Sequence, residues 1–164
     1  MTNASTEPQK LFDLTGRVAV ITGGAGLLGR QHAAAIAEAG GRAVLADVHL
    51  TAAAAAADNI AAEFGTETLG LFCNVTDEAS ITALRDAVLD RFGRIDILVN
   101  NAAKNPKVED GDAAAFSRLE SMPVDVWNDD IAVGLTGAFL CSRVLGAEMA
   151  RAGKGVILNI ASDL

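Results

Sequence analysis

The 164-residue chain is 51% apolar, enough for one domain with a core of its own. Its net charge is −8 and its 13 basic residues are scattered, which excludes the basic stripe that nucleic acid or an anionic membrane surface requires. The opening MTNASTEPQK lacks the layout of a secretory signal, and no run reads as a span of roughly 20 apolar residues, so the expectation is a cytoplasmic protein with no membrane partner.

In chain order, residues 1–14 read as a disordered arm and 15–164 as one domain. RVAVIT (17–22) is a continuous apolar run, as expected for a strand covered on both faces. A helix follows, with Leu28, His32, Ala35, Ile36 and Ala39 at helical spacing, and Gly40 and Gly41 stop it. AVLAD (43–47) is the second strand, and a helix from about Leu50 to Phe64 is closed by Gly65. ETLGLFCN (67–74) is the third strand. Thr76, Asp77 and Glu78 then supply an N-cap and first-turn acids for a helix buried through Ile81, Leu84, Val88 and Phe92.

IDILVN (95–100) is the fourth strand, and residues 104–121 read as a long loop with room for one turn of helix, of the kind that is usually functional or mobile. Pro123 fits the first position of a helix reaching about Ala152. Trp127, Ile131, Leu135, Phe139, Leu145 and Met149 make that helix apolar nearly all round, so it wants a partner. GVILNI (155–160) is the fifth strand. Strands alternating with helices predict an α/β, Rossmann-type doubly wound parallel sheet, incomplete at about five strands with crossover helices. Cys73 and Cys141 lack a CxxC spacing or a neighbouring histidine and read as buried reduced thiols; His32 and His49 stand alone, so no metal site is expected.

The chemistry is concentrated after the first strand. Gly24-Ala25-Gly26-Leu27-Leu28-Gly29 is a GxGxxG turn between a strand and a helix. A helix start offers unpaired N–H groups and the positive end of the dipole, and bare glycine backbone lets a pyrophosphate approach. Asp47, at the end of the second strand, can accept hydrogen bonds from ribose hydroxyls and would repel a 2′-phosphate. No arginine follows it immediately, so NAD is favoured over NADP. A tight turn without a ligand is the bland alternative, and the strand, helix and spaced acid argue against it.

LFDLTGRVAVITGGAGLLG, VLADV, IDILVNNAA, VWNDDIAVGLTGAFLCSR and GVILNIAS, in this order, resemble the short-chain dehydrogenase/reductase family from about Leu11 to Leu164. The resemblance implies a cofactor site formed by Thr22, Gly23, Gly24, Gly26, Leu27, Leu28, Gly29, Asp47, Asn74, Val75, Asn101, Ala102 and Ala103. It also implies that Asn100 and its neighbours lock the central sheet. Ser162 falls on the family's catalytic serine; taken alone, it is a strand-end serine capping a turn. The family's tyrosine and lysine, as Y-x-x-x-K, follow that serine, whereas this chain contains no tyrosine and ends at Leu164, as a C-terminally truncated domain would.

Three departures stand out. The turn spacing, Thr22-Gly23-x-x-Gly26-x-x-Gly29, is commoner in the extended branch of the family. Asn74 stands where an aspartate usually reads adenine, and Gly134 stands at the supporting asparagine of the proton relay. The benign reading of Gly134 and Gly137 is close helix packing.

The implied function is NAD(H)-dependent interconversion of a secondary alcohol and a ketone, with 3-oxoacyl, sugar-acid and glycan-sugar compounds as candidate substrates, a homo-oligomer as the full-length form, and this chain expected to be a fragment not active alone. The alternatives are a non-catalytic nucleotide-binding module and an inactive truncated product. On its own the chain is expected to aggregate or to need a partner.

Overall fold

The computed structural model describes residues 12–104 and 119–161. Five parallel strands, β1 (Val18–Thr22), β2 (Arg42–Asp47), β3 (Thr68–Phe72), β4 (Ile97–Asn100) and β5 (Val156–Asn159), form one sheet in the order β3-β2-β1-β4-β5. The order reverses between β1 and β4, which opens a crevice at the carboxyl ends of those strands. Helices α1 (Leu27–Glu38), α2 (Leu50–Phe64) and α3 (Glu78–Phe92) make the crossovers. A fourth, α4, runs from Val124 to Arg151. This is the doubly wound α/β sheet that the alternation of elements predicts.

β1 is buried at every residue and carries the centre of the core; β2 is nearly so. One side of the sheet packs Val18, Val20 and Leu98 under α3 and α4, and the other packs Ala19, Ile21 and Leu45 under α1 and α2. Helix α3 buries Ile81, Leu84 and Val88 as the spacing predicts, with the Asp77 side chain accepting from the Ala79 N–H at 2.9 Å as its N-cap. Cys73 and Cys141 are free and buried, and burial pushes their thiols up to about 11 and about 12.

The buried face of α1 differs from the expected one. Gly29, Ala33 and Ala37 face the sheet, while Leu28 is 54% exposed. The glycine turn sets the phase of this helix: a Cβ on Gly29 would lie 2.2 Å from the Gly23 carbonyl oxygen, so that position must be the one against the backbone. Small residues at i, i+4 and i+8 then let α1 lie close on the sheet, and hydrophobicity alone does not show this.

Pro123 is the N-cap of α4 rather than its first residue, because its ψ of 138° is still extended. The helix contains a π segment, Ala132–Thr136, where the Gly137 N–H donates to the Ala132 carbonyl. Cys141, Val144, Leu145 and Met149 are buried against the core. Trp127, Leu135 and Phe139 are exposed, so the apolar side away from the core is uncovered. By length and composition α4 could cross a membrane, contrary to the expectation that no segment would. Its Cys141–Met149 stripe packs as a core helix of the sheet, however.

At the start of the described chain, the Leu14 N–H donates to the Ala39 carbonyl and the Leu14 carbonyl accepts from the Arg17 N–H, both at 2.8 Å. The rest of the expected arm, residues 1–11, lies outside the described residues, as do 105–118 of the long loop. Leu119–Ser121 forms a short 3-10 turn ahead of α4.

Candidate functional site

The predicted cofactor-binding residues lie at the carboxyl edge of the sheet, where the strand ends each supply one part. From β1 comes Thr22, 1% exposed, whose hydroxyl accepts from the main-chain N–H groups of Asn101 and Ala102 at 3.0 and 3.1 Å. In return, the Asn101 side chain donates to the carbonyls of Thr22 and Gly23 at 3.0 and 3.3 Å. These bonds hold the β1 and β4 ends together across the crevice. Gly23 has a φ of +63°, and a Cβ there would lie 3.0 Å from the Ala102 Cα, so the turn begins only with glycine. Ala103 follows, exposed at the rim.

The glycines of the turn divide by what surrounds them. A Cβ on Gly24 would lie 2.7 Å from the Cα of Leu45 on β2, and Gly29 is shut in by the Gly23 and Gly24 backbone. Both are required by the protein's own packing. Gly26 is exposed, and a Cβ there would meet only the Gly23 oxygen, at 3.2 Å. It is the N-cap of α1 and makes no side-chain cap, so the first-turn N–H groups of Leu27, Leu28 and Gly29 have no partner inside the helix. The Leu27 and Leu28 side chains stand out beside this opening, 82% and 54% exposed. Bare amides at a helix start, over a residue with no side chain, form a cradle for an anionic group.

Asp47 ends β2 and is 9% exposed. Its Oδ2 accepts from the Ala25 N–H and its Oδ1 from the His49 N–H, each at 3.0 Å. A carboxylate offers about four lone-pair sites. Two remain for outside donors, at a point fixed to the glycine turn. The donor and acceptor set therefore fits a nicotinamide dinucleotide: amides for its pyrophosphate, a carboxylate for its ribose.

One strand further on, Asn74 closes a turn. Its Oδ1 accepts from the Thr76 N–H at 3.1 Å and from the Thr76 hydroxyl at 2.9 Å, and its own N–H donates to Ser80 Oγ at 3.0 Å. Val75 is 6% exposed with its side chain in the core against Gly137, so it offers only main chain to the site. Gly137 is thus a close-packing glycine, whereas a Cβ on Gly134 would have nothing within 4 Å. The packing explanation holds for Gly137 and fails for Gly134.

The sequence named Asn100 as a lock of the sheet but not its partners, and it did not pick out Asp96. Asn100 does lock the sheet, through partners that spacing could not reveal: its Nδ2 donates to Asn159 Oδ1 at 2.8 Å and to Ser142 Oγ at 3.0 Å. β4, β5 and α4 are joined at one atom. The Asn100 Oδ1 is buried without a partner among the described residues. At the other end of the sheet, Asp96 is 5% exposed and accepts from the Val18 N–H, Arg17 and Arg94. Burial alone would raise its pKa, but the bonds from Arg94, Val18 and Arg17 outweigh that and hold it below the usual range. Its signal was an aspartate inside an otherwise apolar strand run. Ser162 lies outside the described residues.

A sequence profile of the family described as short chain dehydrogenase matches residues 17–164. The D-threitol dehydrogenase of Mycolicibacterium smegmatis is 37% identical over 152 residues, covering 93% of this chain and 55% of that protein. Among solved structures, an NAD+-bound xylitol dehydrogenase superposes with a TM-score of 0.80 at 30% identity, over 91% of this chain and 54% of that one. A metagenomic short-chain oxidoreductase in complex with NADP gives 0.79 at 31% identity, over 93% and 65%. The chain spans about half the length of the curated relatives it matches, 55% in the case of D-threitol dehydrogenase. With the glycine turn, the strand-end carboxylate and the asparagine-locked β4 in the places described, and the match running almost the whole length, this chain belongs to the short-chain dehydrogenase family.

Proposed function

We propose that residues 15–164 are the cofactor-binding part of an NAD(H)-dependent oxidoreductase that interconverts a secondary alcohol and a ketone. The observation that carries this reading is the Asp47 carboxylate, tied at 3.0 Å to the glycine turn with acceptor capacity to spare. A ribose with free hydroxyls would donate to it, whereas a 2′-phosphate would bring a second negative charge against it. A nicotinamide ring, when bound, would supply hydride transfer to the carbonyl carbon of a ketone or from the carbinol carbon of an alcohol. The chain's own part is to hold the phosphates at the α1 amides, to hold the ribose at Asp47, and to keep the crevice in shape through Thr22, Asn101 and Asn100.

By family resemblance Ser162, three residues after Asn159 in the sequence, hydrogen-bonds the substrate oxygen. The names of two relatives refer to polyols, D-threitol and xylitol, which makes polyols the first substrates to test beside 3-oxoacyl and sugar-derived ones. The full-length form is read as a cytoplasmic homo-oligomer. There the two buried thiols stay reduced.

A second reading, a nucleotide-binding module without redox chemistry, is favoured by Gly134. That residue leaves open space in the π segment where the family carries its relay asparagine.

Titration of NADH fluorescence tests the binding claim. Enhancement at micromolar to millimolar NADH, with Asp47→Arg shifting the preference to NADPH, supports it. A folded sample that shows no enhancement up to millimolar NADH overturns it. Turnover of D-threitol or xylitol with NAD by this chain, although it lacks the Y-x-x-x-K pair, would overturn the second reading, whereas its absence is expected on both.

A further inference from the structure

Arg30 is the fourth residue of α1 and directly follows the last glycine of the turn. Its Nε donates to the Ala25 carbonyl at 2.7 Å, so the side chain runs back over the first helical turn to the residue before the N-cap. Ala25 is thereby gripped from both sides, because its N–H donates to Asp47. The guanidinium is fixed at the mouth of the amide cradle, while Nη1 and Nη2 have no hydrogen-bond partner among the described residues.

Two observations set this arginine apart. A cation at the positive end of a helix dipole is disfavoured, and the first turn of α1 holds no acidic residue to offset it. Every other arginine among the described residues pairs with an aspartate or a glutamate. Arg30 pairs with none of the described ones, in a chain of net charge −8. Holding the Ala25 carbonyl does not require an arginine. A glutamine carries its Nε2 the same number of bonds from Cα as the arginine Nε, and could make that bond without charge. What arginine adds is the charge and the two Nη groups.

We propose that Arg30 binds a phosphoryl oxygen of the dinucleotide through these Nη groups, beside the α1 amides. This rests on the dinucleotide reading of the preceding section and deepens it by adding a side chain to the main-chain cradle. A guanidinium presents N–H donors in a fixed fork that matches phosphate oxygens, and such charge-assisted bonds are roughly twice as strong as neutral ones. The Nε bond to Ala25 orders the side chain before the ligand arrives, so less rotamer freedom is lost on binding. The pyrophosphate and the 2′-phosphate of NADP present the same kind of oxygen, and the choice of ligands tells them apart.

The test is Arg30→Gln, with NADH and NADPH titrated by fluorescence and adenosine titrated as a competitor of NADH. Urea melts without ligand verify that the variant is folded. A fall of about tenfold in NADH affinity with adenosine unchanged is the result expected of a contact to the pyrophosphate. The same fall confined to NADPH identifies the 2′-phosphate as the partner and equally supports the proposal. Equal weakening of NADH and adenosine would show that Arg30 acts only through the turn, and unchanged affinity for all three would show no phosphate contact; either overturns the proposal. A folded wild type that binds neither dinucleotide overturns the site itself, and this inference with it.

Discussion

The main-chain N–H of Ala25 donates to Oδ2 of Asp47 at 3.0 Å, so the glycine turn after β1 and the carboxylate at the end of β2 are one hydrogen-bonded unit. The carboxylate that would receive a ribose is positioned by the loop that would receive its phosphates. Asp47→Ala would leave the Ala25 and His49 N–H groups without their acceptor. Such a loss costs about 1–3 kcal/mol for a buried donor. The expected outcome is a lower denaturant midpoint together with at least about tenfold weaker NADH binding. Paired urea melts and fluorescence titrations would check it; unchanged stability would show that the Ala25 bond is absent in solution.

The turn glycines should separate folding from binding. Gly29→Ala places a methyl 2.2 Å from the Gly23 oxygen and is expected to prevent folding or to cost several kcal/mol. Gly26→Ala meets only that same oxygen, at 3.2 Å, and alanine is a poor N-cap compared with glycine. It should fold with a loss of about 1 kcal/mol. Its methyl would nevertheless stand at the amide cradle and weaken NADH binding about tenfold or more. Circular dichroism and titration on the two variants distinguish the outcomes.

Asp96 makes stability depend on acid pH. Its pKa in the native state lies below the ordinary value of about 3.9. The unfolded chain therefore takes up its proton first as the pH falls. The stabilisation from this residue is complete above about pH 4–5 and is lost as the pH drops through the native pKa. Asp96→Asn should flatten the acid limb of a stability–pH profile and leave the remaining slope to other carboxylates. At neutral pH it should also be less stable, because Arg17 and Arg94 lose their counter-charge. An acid limb identical to that of the wild type would refute this assignment.

The outer face of α4 is expected to drive self-association. Trp127, Leu135 and Phe139 are each more than half exposed, and Arg143 stacks over the Phe139 ring at 5.5 Å. Val156, Ile157 and Leu158 on the edge strand β5 add a second uncovered apolar surface. The double variant Leu135→Lys with Phe139→Glu should move the protein toward monomer in light scattering and reduce precipitation at high concentration. A wild-type chain that is monomeric at every concentration would rule this out.

Much of the architecture can be read from the residues alone, because short continuous apolar runs such as VAVIT and ILV, alternating with helical segments, suit buried parallel strands. The N-cap at Asp77, the stop at Gly93 and the strand-end position of Asp47 are local signals for the same reason: each depends on neighbours in sequence. The sequence by itself therefore determined the order of elements and where along them the cofactor chemistry is concentrated. Partners distant in sequence were decided only by the tertiary structure. That Gly24 and Gly29 serve packing while Gly26 serves the cradle depends on β2 lying 2.7 Å from one missing Cβ and on backbone closing around another. The phase of α1, the bond from Asn100 to Ser142 and Asn159, and the burial of Asp96 among Arg17, Arg94 and Val18 arise in the same way. Hydrogen bonds and steric contacts act over a few ångströms in space. A spacing pattern in the chain records them only where the fold brings those ångströms and that spacing together.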